Sequence, residues 1–346
     1  MTKSYVLMTA LPPTLGHLDL IKFAHMLTGR VEVILNTQPD EPYYEERFES
    51  LVLAVEKISD IITVHRIHRE LPQEPEDDPG FWDMWVRFLN DHGFEKGDYI
   101  VASEMYGKKL AEVARGVFMP YDLHRQVRYT KGTEVRKDWF GEWDQMIPEF
   151  RVLLQKTVTI FGAESTGKTT LTNELGKLFR ESTTLPEWAR PYLEAVGSEL
   201  TVAKMDAIYL GQKALQEATF DTALKPLVIQ DTDLFSTLGY WRNWDHWSVP
   251  GRLDMHASLL RSDLYIVTKS NIPFEADPLR YGGDKRELDD QYWINILEEF
   301  DLPYVVLDED DLKGRLTAAV DIINNTLLYQ EPLTYQRRGK EYEAQA

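Results

Sequence analysis

A chain of 346 residues is longer than one hydrophobic core usually supports, so two domains are expected. Apolar residues make up 43%, their runs are strand-length rather than membrane-length, and cysteine is absent, which excludes membrane-spanning helices, disulfides and thiolate chemistry. A formal net charge of −19 with no compact Lys/Arg stripe argues against a nucleic-acid partner, and any anionic substrate then needs a local cationic pocket.

The N-terminal residues lack the basic and apolar segments of a secretory signal, so a cytoplasmic location is expected. Short β-rich runs alternate with stretches of helical period, the pattern of α/β domains with parallel sheets. A first series places strands at 5–8, 31–35, 61–64, 99–102 and 117–119. Between them Phe48, Leu51, Val52 and Val55, then Trp82, Trp85 and Leu89, recur at helical spacing. A second series places strands at 157–161, 227–230, 264–268 and 304–307, with a closing helix over 312–327. The expected division is a first domain over 1–137, an aromatic-rich junction over 138–156, a second domain over 157–330 and a frayed polar tail over 331–346. Trp139, Phe140, Trp143, Ile147 and Phe150 make the junction too apolar for a flexible linker. The acidic piece 71–79 reads as an exposed loop.

After the first strand comes Ala10-Leu-Pro-Pro-Thr14-Leu-Gly16-His17, opening a helix with Leu20, Ile21, Ala24 and Leu27 on its buried face. A small residue and an imidazole at a helix start can hold a nucleoside triphosphate where it loses pyrophosphate. A T-x-G-H pattern is short, and a single histidine is more often structural. Its place just past the first strand of a Rossmann-like unit, where nucleotides bind, gives it meaning. Arg47 and Arg136 could add cationic contacts, or could be ordinary surface arginines.

Gly162-Ala-Glu164-Ser165-Thr166-Gly167-Lys168-Thr169 is a Walker A pattern between a strand and an amphipathic helix that starts with Thr170 and Leu171. Its glycines let backbone N–H groups turn inward around phosphates at the positive end of a helix. Lys168 is suited to the β and γ oxygens, and the Thr169 hydroxyl to Mg²⁺. Leu227-Val-Ile-Gln-Asp231-Thr-Asp233 reads as a strand ending in a metal-associated acid at Asp231, with helix capping as the alternative. Glu187 and Arg190 offer a base or ribose-binding carboxylate with a nearby cation; a surface ion pair fits the same residues, and the sequence leaves both open. Arg280 and Arg286 flank Gly282 and Gly283 in a segment composed like a closing lid, or like a solvated loop.

Taken together, these motifs resemble the NadR-type bifunctional nicotinamide-mononucleotide adenylyltransferase and ribosylnicotinamide kinase family, from about Tyr5 to Leu327. The first domain's signature is carried by Thr14, Gly16 and His17. A second signature, I-S-x-T-x-x-R in that family, is matched by Thr130-Lys131-Gly132-Thr133-Glu134-Val135-Arg136, with Lys131 in place of the serine. Trp82-Asp83-Met84-Trp85 resembles the family's W-D-x-W segment, Ser103-Glu104 a Ser-Glu pair, and the aromatic junction the segment joining its catalytic domains.

The resemblance implies a Rossmann-like nucleotidyltransferase domain followed by a nucleoside-kinase-like P-loop domain, with ATP as substrate and Mg²⁺ as its partner. Ribosylnicotinamide would be phosphorylated to nicotinamide mononucleotide, and the mononucleotide adenylylated to NAD. In that reading His17, Arg136, Lys168, Asp231 and Glu187 are catalytic. Thr14, Gly16, Thr133, the Gly162–Thr169 loop, Thr170, Arg280 and Arg286 hold ATP, while Arg47, Trp82, Trp85, Glu187, Arg190 and Asp233 hold substrate. A riboside kinase fused to an inactive adenylyltransferase-like domain, and a non-enzymatic NAD or ATP sensor, are the alternatives. No DNA-binding helix-turn-helix is expected ahead of the first domain, and a homo-oligomer stays open.

Overall fold

The computed structural model describes residues 2–72, 75–129, 131–275 and 288–328. Thr130, of the second signature, and the 276–287 segment with Arg280 and Arg286 lie outside the described residues, as does the tail after 328. The chain divides near residue 153 into two compact units, each built on a parallel five-stranded sheet. No described helix is long and apolar enough to cross a membrane.

The first unit runs β1 (Ser4–Met8), α1 (Leu15–Thr28), β2 (Val31–Thr37), α2 (Tyr44–Glu56), β3 (Ile62–His68), α3 (Phe81–Asp91), β4 (Tyr99–Ala102), α4 (Tyr106–Ala114), β5 (Val117–Pro120), α5 (Gly132–Lys137) and α6 (Pro148–Leu154). Its strand order is β3-β2-β1-β4-β5, all parallel. The chain therefore steps outward in one direction from β1 through β2 to β3, and in the other through β4 to β5. That reversal opens a crevice beyond the carboxyl ends of β1 and β4. Val6, Val33, Ile34 and Val101 are fully buried at the sheet centre. β3 extends to His68, beyond the expected strand end at 64. It is an edge strand, so His65 and Arg66 can alternate outward without breaking the core pattern.

The second unit runs β6 (Lys156–Phe161), α7 (Lys168–Leu178), β7 (Ser182–Leu185), α8 (Ala189–Val196), α9 (Val202–Thr222), β8 (Leu227–Asp231), α10 (Leu234–Asp245), α11 (Leu253–Leu259), β9 (Leu264–Thr268), α12 (Asp290–Glu299), β10 (Tyr304–Leu307) and α13 (Leu312–Thr326). Its order is β10-β9-β6-β8-β7, again parallel. β6 lies between β8 and β9, and the loop after it opens into the space above the strand ends. One apolar cluster around Phe161, Trp241, Tyr265 and Trp293 packs one side of this sheet; another, around Val158, Leu171, Ile266 and Ile323, packs the other. β7 is absent from the expected strands. Ser-Thr-Thr-Leu is a short, polar edge strand with only Leu185 buried, so it carries no apolar run.

The aromatic segment expected between the domains packs as part of the first unit. Trp143, Met146, Ile147 and Phe150 are buried, and the Trp139 and Trp143 rings lie 5.9 Å apart. Ile147 N–H donates to the Pro13 carbonyl at 3.1 Å, and Met146 forms an antiparallel bridge with Thr14. The segment thus braces the loop that starts α1.

Candidate active sites

In the first unit, a cavity of about 520 Å³ opens beyond the ends of β1, β2 and β4. Thr14 is the N-cap of α1, placing Gly16 and His17 in the first turn, where free N–H groups and the helix dipole favour an anion. The Thr14 backbone N–H donates to His17 Nδ1 at 2.9 Å, so in the neutral ring the remaining proton sits on Nε2. Burial, with the charges of Arg125 and Arg136, lowers the His17 pKa to about 4. The ring is therefore a neutral N–H donor at pH 7. Gly16 would place a Cβ 3.5 Å from Thr14 Oγ1 and 3.8 Å from Arg128, leaving the helix start open to close approach.

Thr133 and Arg136 line the same cavity from α5, and Arg136 donates to the Leu11 carbonyl at 2.6 Å. Lys131, the N-cap of α5, is also at the wall. Trp82 and Trp85 of α3 face it with Phe81, and Asn36, Ser103 and Glu104 complete the rim near the strand ends.

Two further cations converge there that sequence reasoning missed. The Asp122 carboxylate accepts N–H bonds from Gln126 (2.6 Å), Val127 (3.1 Å) and Arg128 (2.9 Å), which folds the loop carrying Arg125 and Arg128. Arg125 pairs with Glu104 at 3.2 Å and Arg128 with Asp19 at 2.7 Å, and both line the cavity. The only available signal was the D-x-x-R-x-x-R spacing, which has no helical or strand period to mark it. Arg47 departs from its expected role as a substrate contact. Its guanidinium is fully buried, ion-paired with Glu41 and bonded to the Thr9 carbonyl at 3.1 Å, and it does not line the cavity.

In the second unit, a cavity of about 740 Å³ is lined by Glu164, Ser165, Thr166, Gly167, Lys168, Thr169 and Thr170. Gly162 (φ 126°) could not carry a side chain: its Cβ would fall 2.8 Å from the Thr268 carbonyl. Gly167 (φ 82°) turns the loop into α7. The Lys168 ammonium donates to the carbonyls of Gly162 (3.0 Å) and Ala163 (2.7 Å), folded over its own loop. Thr166 turns inward, its hydroxyl bonded to Ala163 O and Thr268 Oγ1.

Asp231 ends β8 beside Thr169. Burial pushes its carboxyl pKa up, opposed by the Thr169 hydroxyl and by the charges of Lys168 and Arg190. Among the described residues, Asp231 Oδ1 is buried without a hydrogen-bond partner. A buried carboxylate oxygen left open beside a hydroxyl is suited to a hard cation, so these residues fit Mg²⁺. No group of three His, Asp or Glu among the described residues could hold an ion alone, so the shell here would need phosphate oxygens and water.

Glu187 and Arg190 also line the cavity, and Trp188 N–H between them donates to Gln212 Oε1 at 3.0 Å. Gln212 on α9 is buried and was missed in the sequence; with Met205 and Ile208 it forms one stripe of α9 along the cavity wall. Tyr240 and Trp244, one turn apart on α10, face the same space. Asp233 departs from its expected substrate contact. It caps α10, accepting from Phe235 N–H at 3.0 Å and Ser236 N–H at 3.2 Å, and takes the Tyr265 hydroxyl at 2.7 Å away from the cavity lining. Burial raises its pKa to about 6.

A family model described as an AAA domain matches residues 157–315. The Trifunctional NAD biosynthesis/regulator protein NadR of Escherichia coli (strain K12) is 28% identical over 276 residues, covering 76% of this chain and 66% of that protein. Its namesake in Salmonella typhimurium (strain LT2) is 26% identical over 340 residues, covering 90% of this chain and 80% of the relative. A crystal structure of NadR protein in complex with NR shares the fold with a TM-score of 0.63 at 21% identity, covering 95% of this chain and 97% of that one. A second, in complex with NAD and AMP-PNP, gives 0.61 at 21%, covering 96% and 98%. Over most of its length in sequence, and over nearly all of it in fold, the chain is similar to these proteins named NadR.

Proposed function

We propose that the chain makes NAD in two ATP-dependent steps. The second unit, a nucleoside-kinase-like P-loop domain, phosphorylates ribosylnicotinamide. The first, a Rossmann-like nucleotidyltransferase domain, joins the resulting mononucleotide to AMP and releases pyrophosphate. The observation that carries the reading is the joint placement of Lys168, Thr169, Glu187 and Arg190 on the wall of one cavity, with the Asp231 carboxylate buried behind it beside Thr169.

In the kinase step, Glu187 accepts the proton of the riboside 5′-hydroxyl as its oxygen bonds to the γ-phosphorus and ADP leaves. Lys168 and the loop N–H groups hold the β and γ oxygens, and Arg190 adds charge on the acceptor side. Thr169 and Asp231 would hold Mg²⁺, which would supply charge neutralisation on the polyphosphate. Tyr240 and Trp244 give the pyridine ring an aromatic wall.

In the transfer step, a mononucleotide phosphate oxygen bonds to the α-phosphorus of ATP and pyrophosphate leaves. That nucleophile is already an anion, so positioning and charge stabilisation dominate. His17 Nε2–H and the α1 N-terminus face the triphosphate, with Thr14, Gly16 and Thr133 at its contact surface. Arg125, Arg128, Lys131 and Arg136 supply the local positive field that the net charge of −19 otherwise denies. Trp82 and Trp85 receive the nicotinamide ring. A cytoplasmic location, where ATP and ribosides meet, suits this chemistry.

The second reading, a kinase with an inactive first domain, is favoured by one residue: Lys131 stands where the family signature has serine. The cations around it argue for a working triphosphate site instead. Incubation with ATP, Mg²⁺ and ribosylnicotinamide, quantifying mononucleotide and NAD, tests both steps. Mononucleotide without NAD would favour the second reading, and neither product would refute the first.

A further inference from the structure

The Arg315 side chain, from the first turn of α13, is almost fully buried, 2% exposed, at the edge of the P-loop cavity. Its guanidinium reaches three separate segments. It donates to the Thr166 carbonyl of the P-loop, to the Lys269 carbonyl (2.8 Å) and Asn271 Oδ1 after β9, and through Nε to the Glu309 carbonyl (2.8 Å) before α13. The same segments are tied to each other. Asn271 Nδ2 donates to the Asp308 carbonyl at 2.8 Å, Lys269 pairs with Asp308, and Glu275 N–H donates to Ser165 Oγ at 2.8 Å.

We propose that Arg315 is a positioning residue for the bound nucleotide: by holding the Thr166 carbonyl on the side away from the phosphates, it aims the Gly167 N–H into the phosphate cradle. The Thr166–Gly167 peptide is trans, so its C=O and N–H point in opposite directions from one rigid plane. Holding the oxygen therefore fixes the direction of the N–H at the other edge of the peptide plane. Gly167, with φ 82°, offers no side chain to restrain that plane, and among the described residues Thr166 is also anchored through its hydroxyl, bonded to Ala163 and Thr268. The guanidinium fork suits the task, since several N–H groups in a fixed plane set orientation in a way that one ammonium does not. Its charge also lies beside the loop that receives the polyphosphate.

This inference rests on the P-loop as a nucleotide site, and not on which acceptor is phosphorylated. Hydrogen exchange of the peptide spanning 162–170 in the full chain, titrated with Mg-ADP or with inorganic tripolyphosphate, reads that site separately from the one in the first unit. With Arg315→Lys, half-protection should need at least tenfold more of either probe, with the unliganded exchange of the α9 and β8 peptides unchanged. A Lys variant protected at wild-type concentrations overturns the proposal. So does a loss confined to ADP, which would assign Arg315 to the adenosine half. A residue serving only stability would alter unliganded exchange and leave the half-protection concentration in place. If Arg315→Lys fails to fold, Asn271→Ser releases one side of the same guanidinium and should raise half-protection about threefold; an unchanged value overturns the proposal there too. Absence of riboside phosphorylation by the wild type would instead defeat the proposed function, leaving these titrations interpretable.

Discussion

Thr14 approaches Nδ1 of His17 twice, through its backbone N–H at 2.9 Å and its hydroxyl at 2.8 Å. The imidazole therefore enters the cavity in one tautomer, with orientation set by the same residue that caps α1. His17→Ala should lower kcat/KM for NAD formation by on the order of 10²–10³, the usual cost of removing a transition-state donor, with riboside phosphorylation within twofold. Thr14→Val keeps the N–H and loses the hydroxyl, so a smaller loss, about tenfold, is expected. Separate assays of the two steps on each variant check the pattern. A His17→Ala enzyme with full NAD formation would remove the imidazole from the mechanism.

The lowered His17 pKa fixes a sign for pH dependence. The folded ring stays neutral to about pH 4, whereas the unfolded ring protonates below about 6.5. Between those values the unfolded state binds more protons, so this residue's contribution to stability rises with pH and is lost as pH falls from 6.5 toward 4. Relative to His17→Gln, the wild type should lose urea resistance across that window and show no difference in slope above pH 7. The pH–rate profile of NAD formation should likewise show no inflection near 6.5 that His17→Gln abolishes.

Two acids at the end of one strand should separate cleanly. Asp231→Asn removes the carboxylate beside Thr169 and should cost riboside phosphorylation on the order of 10² or more, as should Lys168→Ala, with transfer from supplied mononucleotide intact. Asp233→Asn keeps the helix cap, because an amide oxygen can accept the Phe235 and Ser236 N–H groups, and the kinase KM values should stay within twofold. The folded Asp233 pKa, raised to about 6, means the native state holds its proton more tightly than the unfolded chain. Stability from this group is present below pH 4 and lost as pH rises toward 6, a change of roughly 3 kcal/mol. Asp233→Asn should therefore gain on the wild type over that interval, measured by denaturant midpoints.

The Walker A loop and its flanks were legible because the glycine, lysine and threonine spacing is set by phosphate chemistry within eight consecutive residues. The T-x-G-H turn was legible as a helix start just past the first strand, since Thr14 caps α1. Arg47 and Asp233 misled because a charged residue's direction is not written in its neighbours: Arg47 lies on the inner face of α2 with Leu51 and Ala54, and Asp233 turns back to cap its own helix. Arg315, Arg125 and Arg128 were invisible for the converse reason. Each acquires its role from segments far away in sequence, Thr166 and Lys269 for Arg315, Glu104 for Arg125 and Asp19 for Arg128. Gln212 shows the same limit, since its stripe on α9 reads as core until Trp188 arrives against it.

Gly211 and Trp188 give the sharpest test of how α9 places the acceptor-side residues. A Cβ at Gly211 would fall 1.9 Å from Trp188 Nε1, so an added methyl must move the indole. Two effects oppose each other in Gly211→Ala. Alanine in a helix interior gains about 1 kcal/mol over glycine, while overpacking against a ring costs about 1–3 kcal/mol. Trp188 is partly exposed and its ring can swing outward, which places the net stability change near zero or slightly negative. The backbone is less free, because Trp188 N–H is held by the neighbouring Gln212, and Glu187 and Arg190 flank that residue at the cavity wall. Displacing the indole should therefore act on acceptor binding more than on folding. The riboside KM is expected to rise about fivefold or more, with the ATP KM and the thermal midpoint little changed. Initial-rate kinetics with each substrate varied, alongside thermal unfolding of the same preparation, separates the outcomes. A riboside KM equal to that of the wild type would mean that Glu187 and Arg190 are placed independently of this contact.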